Sequence, residues 1–224
     1  AEGHTSVVKL LLERGADVNA RTIFVPPDTA RGFEGSPPRD RLKDEVGSIQ
    51  HASGELTAIH FAARDGYLDT AELLLDSGAE IDSLTADGKN ALGLAIFNGH
   101  YELASLLIDR GSDVNQADAR GFNPLFWAVD RRNMETAPNF PWVVTEDPLP
   151  LVKKLLDAGA DPNQLVNDTP RARMRGGSPR IVFGTPIMRS AFSGDLELTR
   201  LLLEYGADPL IKSSDNETAL GAAT

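Results

Sequence analysis

The feature that most narrows what this chain can fold into is an internal repeat with a step of 33 residues. Two marks define it. An apolar run that ends in Gly and passes into a small and an acidic residue occurs as Val7-Val8-Lys9-Leu10-Leu11-Leu12-Glu13-Arg14-Gly15-Ala16-Asp17 and from Ala71 to Glu80. The ending alone returns at Gly111-Ser112-Asp113, Gly159-Ala160-Asp161 and Gly206-Ala207-Asp208. A Thr or Asn followed by a small residue or Pro and then an aliphatic stands at Thr57-Ala58-Ile59, Asn90-Ala91-Leu92, Asn123-Pro124-Leu125, Thr185-Pro186-Ile187 and Thr218-Ala219-Leu220.

The spacing of these marks gives the organisation. From Thr or Asn to Gly the separation is 21 in three copies and 36 in the copy that starts at Asn123. From Gly to the next Thr or Asn it is 12 three times, but 42 after Gly15 and 26 after Gly159. A unit of 21 plus 12 residues is thus interrupted by three insertions, near residues 20–56, 132–150 and 164–184. The chain reads as one solenoid over 1–224: a partial repeat at 1–19, the first insert at 20–56, repeats at 57–89 and 90–122, a repeat with two inserts at 123–184, a repeat at 185–217 and a partial one at 218–224.

Each mark has a physical reason. Thr or Asn offers a side-chain oxygen to the unpaired amides of a helix start, and Pro immediately after it suits the first helical turn. The Gly that ends the apolar run can take the left-handed backbone conformation that closes a helix. The spacing predicts a short first helix in each unit, such as Ala58–Asp65 or Ala91–Asn98. A turn at Gly66 or Gly99 then leads into a second helix starting at Leu68 or Tyr101. Helices of two to three turns are marginal alone, so units of this kind hold together by stacking. The expected fold class is all-α, a solenoid of helix-turn-helix units with three loop insertions.

The segments Thr57-Ala58-Ile59-His60-Phe61-Ala62-Ala63, Gly99-His100-Tyr101-Glu102-Leu103-Ala104 and Gly15-Ala16-Asp17-Val18-Asn19 resemble the ankyrin repeat. The resemblance implies a curved stack of antiparallel helix pairs whose first helices and projecting hairpin loops line a concave groove. It further implies protein binding through that groove, without cofactor and usually without catalysis. His keeps its family position only at His60; Gly93, Phe126, Met188 and Gly221 stand there in the other copies, so a weaker capping network is expected in them.

A formal charge of −11 and a pI near 4.8 oppose general affinity for nucleic acid or anionic membrane, which needs positive surface. Cysteine is absent, which removes disulfides, thiolate metal sites and thiol nucleophiles. No apolar run approaches the roughly 20 residues of a membrane span, and Ala1-Glu2-Gly3-His4 lacks the build of a signal peptide. The chain reads as beginning and ending inside repeats, so its ends are expected to expose apolar faces; head-to-tail self-association is the alternative function this suggests.

No catalytic, metal or nucleotide motif emerges. His4, His51, His60 and His100 form no H-x-x-x-H or H-E-x-x-H pair. His4 and His100 share a Gly-His turn position, and His60 reads as a cap partner. The Gly-bearing loops at Gly32–Gly35 and Gly176-Gly177 lack a phosphate-wrapping pattern, and the acidic residue of the Gly-Ala-Asp mark recurs once per unit, as a structural residue does. An enzyme site beneath the insert loops is the remote alternative.

Candidate contact residues come from two places. Positions late in the first helix give Phe97, Asn98, Asp130, Arg131 and Phe192, with Phe122 in a connecting loop; the aromatics are either partner anchors or landing sites for the inserts. The third insert holds Arg171, Arg173, Arg175 and Arg180 against Asp168 alone, a basic cluster fit to grip an acidic partner or to pair with the acidic solenoid. The inserts also carry apolar side chains: Ile23, Phe24, Val25, Phe33, Leu42, Val46 and Ile49, then Phe140, Trp142, Val143 and Val144, then Ile181, Val182 and Phe183. These are expected to fold back onto the solenoid, with direct partner contact as the alternative.

Overall fold

The short helices predicted from the repeat need partners for their apolar faces, and stacking supplies them. The computed structural model describes residues 4–25, 53–133, 146–166, 184–213 and 216–224. Among these it has ten helices and, as extended pairing, one isolated antiparallel bridge between Val25 and Ser53. The inner helices, first of each unit, are α2 (Ala58–Asp65), α4 (Ala91–Asn98), α6 (Pro124–Arg132), α8 (Pro186–Phe192) and α10 (Ala219–Ala222). The outer helices are α1 (Thr5–Glu13), α3 (Leu68–Asp76), α5 (Tyr101–Asp109), α7 (Leu149–Asp157) and α9 (Leu196–Glu204).

The same positions are buried in unit after unit. Ile59, Leu92, Leu125 and Ile187 form a buried column on the inner helices, and Leu74, Leu107, Leu155 and Leu202 form one on the outer helices. Each such side chain contributes about 1.5–3 kcal/mol on burial, so the two columns carry much of the cohesion between units. Alanines at 62, 63, 95 and 128 keep the inner helices close. The inner helices pack on each other more tightly than the outer ones, and a stack that is tighter on one side curves toward that side.

Capping departs from the sequence expectation. In the first full unit the Thr57 amide donates to His60 Nδ1 at 2.9 Å and His60 Nε2 meets the Ser83 carbonyl at 2.8 Å. In the units that begin at Asn90 and Asn123, where His is missing, Asn replaces Thr and covers both tasks. Asn90 accepts from the Gly93 amide at 2.9 Å while its side-chain amide reaches Asp82, Ser112 and the Asp113 carbonyl. Asn123 likewise accepts from the Phe126 amide at 2.8 Å and donates to Gln164 at 2.8 Å. At Thr185, whose hydroxyl is buried without a partner, and at Thr218, whose hydroxyl accepts a long bond from the Gly221 amide at 3.5 Å, the network is impoverished as anticipated.

The Asp residues that follow the helix-ending Gly are structural. Asp17, Asp113, Asp161 and Asp208 each accept from the amide two residues on. Asn19, Asn115 and Asn163 then bridge neighbouring units, donating to the carbonyls of Gly78, Gly159 and Gly206 and accepting from the amides of Glu80, Asp161 and Asp208.

Around the inserts, α6 runs through Arg132 and α7 begins at Leu149, so the ends of the segment read as the second insert are helical; Pro150 is tolerated because it falls in the first turn. The first insert leaves the solenoid on two extended arms joined by Thr22 with Leu56 and Val25 with Ser53. Ile23, Phe24 and Val25 do not fold back as expected: they are 85%, 47% and 41% exposed, because the arm projects away from the helices. The other apolar insert residues named above lie outside the described residues.

Candidate functional site

Counting four residues on from each capping Thr or Asn brings Phe61, Leu94, Trp127 and Arg189 onto one face of successive inner helices. This is the face turned to the inside of the curve. Phe61 is 37% exposed, Leu94 and Trp127 are half-buried, and Phe97, one turn beyond Leu94, is 44% exposed. Phe97 meets Trp127 edge-on, with ring centroids 4.9 Å apart. Behind them Phe122 lies 4.6 Å from Trp127 and 5.3 Å from Phe126, a geometry that fixes the rings as one rigid cluster.

The groove therefore has an apolar floor over three units, ending where Arg189 takes the aromatic's place. Arg189 is buried; its Nε donates to Asp130 at 2.6 Å and Nη2 to the Asn133 carbonyl at 3.2 Å. At the other end Arg64 lies 5.1 Å over the Phe61 ring and is held by both oxygens of Asp65, at 2.8 and 2.9 Å. That hydrogen bond holds the Asp65 carboxyl below its ordinary pKa.

The candidates read from the sequence fare unequally. Phe97 presents an exposed ring. Asn98 is half-buried and its amide donates back to the Leu94 carbonyl at 2.8 Å. Phe122 is 6% exposed and belongs to the core beneath the groove, since its loop is drawn in by the Asp118 side chain accepting its amide. Asp130 is committed to Arg189, and Arg131 is 7% exposed against the turn at Gly99, where a methyl group would come within 3.0 Å of its guanidinium. Phe192 is half-buried against the main core. Arg171, Arg173, Arg175 and Arg180 lie outside the described residues.

Sequence reasoning missed Phe61, Leu94 and Trp127, although the 33-residue step aligns them; reading the repeat one helical turn earlier finds the column. It also missed Arg132, which joins Asp147, Asp195 at 2.7 Å and Glu197 at 2.9 Å, tying α6 to the starts of α7 and α9. Burial opposes the charge on Arg132, but the hydrogen bonds to Asp147 and Asp195 outweigh it and its pKa is raised.

His60 is fully buried, and burial lowers its pKa, so it is held neutral as a bridge between Thr57 and Ser83. His100 reaches back to the Arg64 carbonyl at 3.0 Å, a turn contact between units. Among the described residues no group of three or more His, Cys, Asp or Glu is placed to hold a metal ion, and no helix is long and apolar enough to cross a membrane.

Comparison with known families agrees with this geometry. A family model for "Ankyrin repeats (3 copies)" matches residues 42–118 and 59–138, and one for "Ankyrin repeat" matches residues 1–23 and 184–214.

Proposed function

Because this chain belongs to the ankyrin-repeat family, whose repeats generally mediate protein–protein interaction, we propose that it is a non-enzymatic scaffold that holds a protein partner in its inner groove. The observation that supports this most is the column in which exposed Phe61 and Phe97 stand beside half-buried Leu94 and Trp127, with Phe97 seated edge-on against Trp127. Aromatic side chains with few rotors, already fixed by their neighbours, lose little entropy on binding and are the residues on which interface energy concentrates. Arg171, Arg173 and Arg175 are proposed as further contacts to the same partner, since guanidinium groups suit an acidic surface.

The test is capture from a lysate of the source organism by immobilised wild-type chain and by Phe97→Asp. Bound partner is expected to fall about tenfold or more in the variant, with unchanged helicity and a modest loss of melting temperature from the broken contact with Trp127, since Phe97 is 44% exposed. Undiminished capture by Phe97→Asp removes the groove from the function.

A second reading, self-association, is favoured by apolar surface at the two ends of the stack: Leu10 and Leu11 on α1 are 49% and 54% exposed, and Leu220 on α10 is 78% exposed. Solution mass measured against concentration decides it, a monomer at every concentration ruling it out.

A further inference from the structure

The groove's own dimensions and electrostatics narrow what can lie in it. Phe61, Leu94 and Trp127 sit one per inner helix, and α2, α4 and α6 each pack directly on the next. Packed helices lie about 8–10 Å apart, so apolar contact points recur along the groove at about that interval. A polyproline II strand has three residues per turn and rises about 3.1 Å per residue, so its same-face side chains recur every 9.3 Å or so, within that range. A β-strand repeats its face at about 6.6 Å, and an α-helix brings a side chain back at about 10.5 Å after two turns.

The charges bordering the column are neutralised from within. Arg64 is clamped to Asp65, Asp130 to Arg189, and on the adjoining hairpin Lys89 to Asp87 and, at 3.4 Å, to Asp118. On a chain of net charge −11 these bordering groups sum to −1, with every cation paired, so the stripe offers a charged segment little to offset the loss of its hydration.

We infer that the groove takes an uncharged, proline-rich segment of another protein in the polyproline II conformation, with aliphatic or aromatic side chains at i, i+3 and i+6 meeting Phe61, Leu94 and Trp127. The inference rests on the groove reading above. A polyproline II segment has no internal hydrogen bonds to disturb and is largely ordered before it binds, which suits a floor of aromatic rings.

The probe is a short, end-capped, uncharged proline-rich peptide with Leu at i, i+3 and i+6. Its controls are a helix-forming peptide with Leu at i and i+7 and proline-rich peptides flanked by Lys or by Glu. Of the 2 tryptophans, Trp142→Phe leaves Trp127 as the reporter in the full chain. The uncharged proline-rich peptide is expected to shift the Trp127 emission saturably. Its Kd should change less than about twofold between 0.05 and 0.5 M NaCl. Phe61→Ala and Phe97→Ala, both at exposed rings, should each weaken it by about tenfold with unchanged helicity.

Tighter binding of the helical control, affinity that follows peptide charge or salt, or no saturable change overturns the inference. Competition separates it from the broader reading. If lysate capture remains Phe97-dependent while the proline-rich peptide fails to compete, the groove function stands and the polyproline assignment falls. If capture itself is indifferent to Phe97, the groove reading falls first.

Discussion

Asn90 does in one residue what Thr57 and His60 do in two, and a double-mutant cycle tests this. In Asn90→Thr the hydroxyl still accepts from the Gly93 amide. The donor that reaches Asp82, Ser112 and the Asp113 carbonyl at 3.2–3.3 Å is lost. Asn90 is 1% exposed, and Ser112 is buried beside it. Net values of about 0.5–1.5 kcal/mol per hydrogen bond put the cost at about 1–2 kcal/mol. Adding Gly93→His rebuilds the pattern of the Thr57 unit; a Cβ at Gly93 meets only the Asn90 side-chain oxygen, at 3.5 Å, so the Cβ is accommodated and the imidazole takes the space that Asn90→Thr vacates. The His also gains a few tenths of a kcal/mol over Gly in helix propensity. Gly93→His alone, with Asn90 still filling the site, has no place for its imidazole and is expected to destabilise. Urea unfolding of the four proteins should therefore give a coupling energy of at least about 1 kcal/mol in favour of the double variant. Additivity within about 0.5 kcal/mol refutes the claim that Asn replaces the Thr and His pair.

Three further outcomes follow from the same contacts. Thr185→Val should be neutral or slightly stabilising, because the hydroxyl it removes is buried without a partner. Thr57→Val should cost about 1–2 kcal/mol by breaking the contact with His60, and equal effects in urea unfolding contradict the assignment. Burial lowers the pKa of His60, so below about 6.5 the unfolded chain takes up a proton that the folded chain refuses. The stability His60 provides is complete above the unfolded pKa and falls as pH drops, by up to about 1.4 kcal/mol per unit, until the lowered folded pKa is passed. Stability measured against pH for wild type and His60→Asn, with the His60 titration followed by NMR, checks the sign. Arg132→Met should destabilise by about 1–3 kcal/mol through loss of the bonds to Asp147, Asp195 and Glu197, an effect read by thermal unfolding and reduced at high salt.

The repeat made the architecture legible because stacking is periodic: the positions that must be apolar recur, and 33-residue arithmetic exposes them without any knowledge of shape. The helices at Ala58–Asp65 and Ala91–Asn98 follow from local rules of capping and turn formation, which need only neighbours in sequence. The candidate site was legible only in part. Phe97 was found because its place in the helix puts it outside. Arg131 was misjudged because its place in the helix says nothing about the turn at Gly99 of the preceding unit that lies against it, while Phe122 is a landing site for Val166 of the third insert, the second of the two roles its sequence position allowed. Asp130 looked free until Arg189, 59 residues away, was seen to hold it.

What the sequence determined by itself is the all-α stack, its step, and the absence of any thiol chemistry. What only the tertiary structure decided is which side chains face solvent and how each unit satisfies its buried polar groups. Those are settled between units, where Asn90 finds the Asp113 carbonyl and Trp127 finds Phe97. A hydrogen bond or ring contact between residues 20 to 60 positions apart leaves no local mark in the chain, because its energy exists only once the units are in register.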